Sequence, residues 1–176
     1  MKKVVVIVGP TASGKTRLSI ELAKKFHAEI INGDSVQVYQ RLDIGSAKIK
    51  EEEKESIPHH LFDVCNPKKS YTVYHFQTDV RQKIDQIERP FIVGGTGLYI
   101  KAALYDYEFD PEPPHNEDDP LLTNEEIYEK LIKIDPDINI DPNNRRRLIR
   151  ALALAKSGHL RSKKTKKDHL LYDALI

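Results

Sequence analysis

Between a short apolar run and an amphipathic stretch, the chain carries Gly9-Pro10-Thr11-Ala12-Ser13-Gly14-Lys15-Thr16. The spacing is that of a P-loop, G-x-x-x-x-G-K-[ST]. Its flanks fit the motif. Residues 4–8 are a β-branched run that predicts a buried strand. From Lys15 to Phe26, apolar residues recur at Leu18, Ile20, Leu22, Ala23 and Phe26, a helical pattern. The glycines let the backbone wrap an anion, and successive N–H groups of such a loop point inward as a nest. The following helix adds its positive dipole end. Lys15 supplies a point charge and Thr16 a hydroxyl for Mg²⁺. The motif therefore calls for an α/β fold that binds a di- or triphosphate. Taken alone it suggests a nucleotide such as ATP, but kinases, NTPases and other diphosphate users share it.

The rest of the chain continues the alternation. Residues 29–31 predict a second strand, ending at Asn32-Gly33-Asp34. Residues 48–55 are charged and predict a surface turn or helix, and residues 60–64 a third strand. Residues 71–87 read as a helix with Val73, Phe76, Val80, Ile84 and Ile87 on one face, stopped by Pro90. Residues 91–93 are another buried strand, running into Gly94-Gly95-Thr96-Gly97 and a short helix to Leu104. Strands alternating with helices predict a parallel sheet with right-handed crossovers, hence a P-loop NTPase-like three-layer fold. Ligands of such sheets bind at the carboxyl ends of the strands. The P-loop, the Asp34 loop and the Thr96 loop all fall there.

After Tyr105 the character changes. Residues 106–124 hold seven acids and four prolines without periodicity, which reads as a linker. Thr123 with Glu126 three residues on marks a helix start, and the helix is expected to run to Ile134. A further helix is expected from Asn143 to Lys156, capped by Asn143 or Asn144 and ended by Gly158. The predicted organisation is a P-loop core over residues 1–105, the acidic linker over 106–124, and a small helical, basic appendage over 125–176.

Net charge is +1, yet ten of the 28 basic residues and only one of the 27 acids lie between Asn143 and His169. A basic end on an acidic body suits a polyanionic partner, and equally a solvated helix face. Arg146 and Arg150 share a helix face, with Arg147 beside them. No apolar run reaches membrane-spanning length, so no membrane partner is expected. Met1-Lys2-Lys3 before the first strand is not read as a signal peptide, because the apolar stretch is too short. The single cysteine, Cys65, excludes an internal disulfide and suits a reducing cytoplasm. By themselves the residues leave Asp34 open between a turn residue after Gly33 and a functional carboxylate.

Several motifs come in one order. They are the P-loop; Asn32-Gly33-Asp34-Ser35-Val36-Gln37; Asp43-Ile44-Gly45-Ser46-Ala47-Lys48; Ile57-Pro58-His59-His60-Leu61; Val93-Gly94-Gly95-Thr96-Gly97; and Pro142-Asn143-Asn144-Arg145-Arg146-Arg147-Leu148-Ile149-Arg150. Together they closely resemble the tRNA dimethylallyltransferase family. The resemblance implies a prenyltransferase whose P-loop, Gly9 to Thr16, holds the diphosphate of dimethylallyl diphosphate with Mg²⁺ at Thr16. It implies Asp34 as the general base and Thr96 and Lys15 as catalytic partners. The acceptor is the exocyclic amine of adenosine 37 in the anticodon stem-loop of a tRNA. Asp34, Ser35, Val36 and Gln37 would meet the RNA, as would Arg146, Arg147, Leu148, Ile149 and Arg150. A monomer is expected. His59 and His60 are expected to be structural or loop residues, having no metal-ligand spacing with Cys65. Against the family's pattern the chain stops early, Ala153 stands where a glutamate is usual, and the segment from Ser162 to Ile176 diverges. This reads as a reduced homologue or a fragment. An adenylate isopentenyltransferase, a small-molecule kinase and an inactive RNA-binding remnant are the competing expectations.

Overall fold

The computed structural model describes residues 1–109, 121–163 and 169–176. Most of the acidic linker and Lys164, Lys166 and Lys167 of the basic stretch lie outside them. The chain forms two compact units, one of Met1–Tyr107 with the C-terminal residues, the other within Glu108–Lys166.

The first unit is a five-stranded, all-parallel sheet of β1 (Lys3–Val8), β2 (Glu29–Asn32), β3 (His59–His60), β4 (Pro90–Gly94) and β5 (Asp173–Leu175). Their order in space is β3-β2-β4-β1-β5. The alternation of side chains along a strand builds the layers. Val4 and Val6 of β1, Ile31 and Ile92 pack with Phe76, Val80, Ile84 and Ile100 on one face. These come from helices α2 (Val73–Gln86) and α3 (Gly97–Leu104). Val5, Ile7, Ile30 and Phe91 pack on the other face with Ile20 and Ala23 of helix α1 (Lys15–Phe26). The result is the expected three-layer α/β fold.

Three expectations need correction here. The third strand spans only His59–His60, because Leu61 and Asp63 adopt left-handed backbone (φ 61° and 55°) that breaks extension. The C-terminal residues are not part of a helical appendage. Asp173–Leu175 form the edge strand β5, paired with β1 in the register Lys3–Asp173 to Val5–Leu175, and Tyr172 is buried in the main core. Pro90 likewise opens β4 rather than stopping α2, which ends at Gln86. The charged segment around residue 50 forms a 3₁₀ turn at Glu51–Lys54.

In the second unit, helices α4 (Asn124–Ile134) and α5 (Arg145–Lys156) enclose a core of Ile127, Leu131, Ile138, Leu148, Ala151, Leu152 and Ala155. Thr123 and Glu126 form a reciprocal capping box at α4. Asn144 caps α5 by accepting the Arg147 N–H at 3.1 Å, and Gly158 takes φ 87° beyond the last turn.

Candidate active site

Three loops leave the carboxyl ends of the neighbouring strands β1, β4 and β2. Gly14, at φ 82°, is the residue from which α1 starts, and only glycine takes that conformation without steric cost. The first N–H groups of α1 have no carbonyl of their own helix to pair with, so the loop and helix end together make a site for an anion. Gly9, Pro10, Ser13 and Gly14 shape this loop. Thr11, Ala12, Lys15 and Thr16 line a cleft of about 200 Å³ beside it. The Lys15 ammonium donates to the Pro10 carbonyl at 2.6 Å, held within the loop it would serve.

Asp34 and Gln37 line the same cleft. The half-buried Asp34 is locked from several sides. Its Oδ1 accepts the Val36 N–H at 2.8 Å and the Gln37 N–H at 3.4 Å. Its own N–H donates to Asn32 Oδ1 at 2.9 Å, and the Asn32 amide donates to the carbonyls of Asp34 (3.1 Å) and Leu61 (3.0 Å). Among the described residues no donor meets Asp34 Oδ2. Asn32, 1% exposed, thus fixes the carboxylate-bearing turn. Sequence reasoning missed this role, although a polar amide ending an apolar strand signals it, since buried polar groups need partners.

Thr96 meets the Asp34 loop rather than lining the cleft, where Gly95 stands instead. Its hydroxyl accepts the Ser35 N–H at 3.3 Å and lies 3.5 Å from Ser35 Oγ. The approach is possible because Gly33 and Gly94 lie against each other, the Gly33 N–H donating to the Val93 carbonyl at 2.8 Å. Tyr99, on α3, has its pKa raised by burial first and then by the nearby Tyr39 and Asp34.

The far wall of the cleft is Ser46, Ala47, Ile49, His59 and Phe62. His59, expected as a structural or loop residue, thus also lines the cleft. Its Nδ1 bonds the Ile57 carbonyl at 2.7 Å, so that nitrogen carries the proton. Burial foremost, with the Lys54 charge, pushes its pKa down, so the imidazole is neutral at pH 7. His60 instead pairs with Glu29 at 2.6 Å. Among the described residues no cluster of three or more His, Cys, Asp or Glu is placed to hold a metal. Thr16, exposed on the cleft wall, fits Mg²⁺ only as one ligand beside phosphate oxygens and water, the usual setting of that ion.

On α5, Arg146, Arg147 and Arg150 are exposed. Leu148 is fully buried between α4 and α5, so its side chain cannot serve as an RNA contact; Ile149 is half-buried against the same cluster. The helical period that puts the arginines outward turns Leu148 inward.

A parallel sheet with an anion nest, a fixed carboxylate and a glycine-rich loop on one edge defines a P-loop protein of the α/β class. The family profile described as IPP transferase matches residues 37–176, and one described as isopentenyl transferase matches residues 2–63. The chain belongs to the IPP transferase family. It is 56% identical over 176 residues to the tRNA dimethylallyltransferase of Acholeplasma laidlawii, covering 100% of this chain and 61% of that one. To the Bacillus subtilis tRNA dimethylallyltransferase it is 48% identical, covering 98% and 60%. The chain thus spans about 61% of the length of the relatives it matches. Among solved structures, a eukaryotic dimethylallyltransferase acting on tRNA superposes with a TM-score of 0.85 at 33% identity, over 99% of this chain and 47% of that one. The full-length tRNA isopentenylpyrophosphate transferase of Bacillus halodurans gives 0.67 at 37%, over 100% and 59%. No helix among the described residues is long and apolar enough to cross a membrane.

Proposed function

We propose that this chain carries the donor site and the proton-accepting carboxylate for transfer of a dimethylallyl group from dimethylallyl diphosphate to the exocyclic amine of adenosine 37 in a tRNA anticodon stem-loop. The observation that carries the reading is one cleft lined by both the P-loop and Asp34. The likeness to the tRNA dimethylallyltransferases supports the choice of donor and acceptor.

The chemistry follows from the residues. The allylic C–O bond breaks and its electron pair leaves with the diphosphate. Lys15 and the loop N–H groups face the charge that develops there, where fixed donors stabilise a transition state most. Mg²⁺ held at Thr16 would neutralise part of that charge. The adenine nitrogen forms the new C–N bond and passes its proton to Asp34, held within reach by Val36, Gln37 and Asn32. Thr96 positions Ser35 and so the Asp34 turn. The base must leave its stack to enter the cleft.

The test is incubation of the chain with labelled dimethylallyl diphosphate, Mg²⁺ and an unmodified anticodon stem-loop. Label is expected in the RNA. Asp34→Asn should keep the Val36 contact and the fold while lowering the rate on the order of 10²–10⁴-fold. Label in free adenosine monophosphate instead would identify an adenylate isopentenyltransferase, and label in neither would sink the proposal.

A further inference from the structure

The turn between Gln37 and Lys48 is tied down along its length. Gln37 Nε2 donates to the carbonyls of Ser46 at 2.9 Å and Ala47 at 3.4 Å. The Lys48 ammonium, on a side chain only 6% exposed, donates to the Tyr39 carbonyl (2.8 Å), Asp43 Oδ1 (2.8 Å) and Asp63 Oδ1 (2.6 Å). Backbone bonds from Ala47 to Ile44 and from Lys48 to Asp43 close the turn, and the Ser46 hydroxyl donates to the Leu42 carbonyl. Arg41 and Ala47 hold left-handed backbone, φ 63° and 49°, uncommon for residues that bear side chains.

This fixed turn holds an apolar side chain in water. Ile44 is 98% exposed, and Val36 and Leu42 on the same segment are also exposed. An isolated exposed aliphatic residue on a loose loop would mean little. Here the backbone is pinned, and Ser46, two residues on, lines the cleft with Asp34. The exposed Arg41 places a positive charge on the same turn, suited to a phosphate backbone.

We propose that Ile44 is a wedge for RNA: it enters the gap that the acceptor adenine leaves in its stack and packs against the bases on either side. The inference rests on the reading of the cleft as the acceptor site of an RNA prenyl transfer. A base drawn out of a stack exposes the apolar faces of its neighbours, and an aliphatic side chain covers them, the use that proteins which unstack nucleic acid make of Ile, Leu, Phe and Met. A wedge must resist being pushed back, and the bonds from Lys48 and Gln37 supply that stiffness.

The experiment uses the full chain and an anticodon stem-loop carrying 2-aminopurine at the acceptor position, whose fluorescence rises on unstacking. RNA binding is measured in parallel by filter retention. The wild-type chain is expected to raise fluorescence several-fold at saturation. Ile44→Ser should lose that rise while its thermal midpoint stays at the wild-type value, since the side chain touches solvent. Ile44→Leu should keep the rise. Equal fluorescence with Ile44→Ser, RNA bound by the wild type without a rise, or no RNA binding at all would each overturn the wedge; protein rather than RNA retained on the turn would do the same. A rise lost in Ile44→Ser, with no prenyl label transferred by the wild type to a separate stem-loop that keeps adenosine at the acceptor position, would uphold the wedge and sink the transfer reading.

Discussion

Gly94 shows how one atom sets the geometry of the cleft. A Cβ there would lie 2.3 Å from the backbone of Gly33, and one on Gly33 would meet Ile100 at 2.7 Å. Gly94→Ala must push the Thr96 and Asp34 loops apart, at a cost of about 1–3 kcal/mol or more. Urea unfolding measures it, and the Asp34→Asn protein provides a comparison whose fold is intact. His59 carries the pH dependence. The folded chain holds it neutral below the ordinary histidine value of 6.5, whereas the unfolded chain takes up a proton there. Below that value the unfolded state binds more protons, so the stability this neutral His59 contributes is full above 6.5 and is lost as pH falls. His59→Gln should flatten that acid limb, read as thermal midpoints at roughly pH 5 and 8. Gly9 to Thr16 was legible in the sequence because its chemistry is local. The cleft positions of His59, Phe62 and Ile49 were not, because each depends on strand pairing across many residues.

At the scale of elements, α5 separates two tasks by its period. Leu148→Ala should cost about 2–5 kcal/mol by leaving a cavity between α4 and α5. Arg147→Ala, on the exposed side, should change stability by less than about 0.5 kcal/mol. On the proposal that the exposed arginines of α5 meet tRNA phosphates, it should instead lower the slope of RNA affinity against salt by about one. Denaturant unfolding and binding at several salt concentrations distinguish the two. A resemblance carried over as a contiguous stretch groups Leu148 with its arginine neighbours, and only the packing separates them. The capping box of α4 was readable from spacing alone, since its bonds close within three residues, whereas the spacing left the α5 cap between Asn143 and Asn144 and the structure selects Asn144. The third strand is shorter than the sequence predicts, because the left-handed turns at Leu61 and Asp63 answer to Asn32, at the end of β2, and Gln37, in the loop after it, which bond them.

For the whole molecule, the C-terminal segment matters more than its composition suggests. β5 covers the edge of β1, with the Asp173 N–H donating to the Lys2 carbonyl at 2.9 Å, and Tyr172 joins the main core. A chain ending at Asp168 should therefore unfold at a lower temperature, by the equivalent of about 2–3 kcal/mol for the lost aromatic burial alone. Thermal melts of the two lengths check this, and an unchanged midpoint would sink it. The amino-acid sequence by itself determined the strand, loop and helix of the P-loop, the α/β class and the helix starts, because periodicity, glycine freedom and caps act over a few residues. Only the tertiary structure decided that β5 returns to the sheet, that Asn32 and Thr96 fix the Asp34 turn, and that His59 faces the cleft. Those outcomes rest on hydrogen bonds and contacts between distant segments, whose energies exist only once the sheet has brought the segments together.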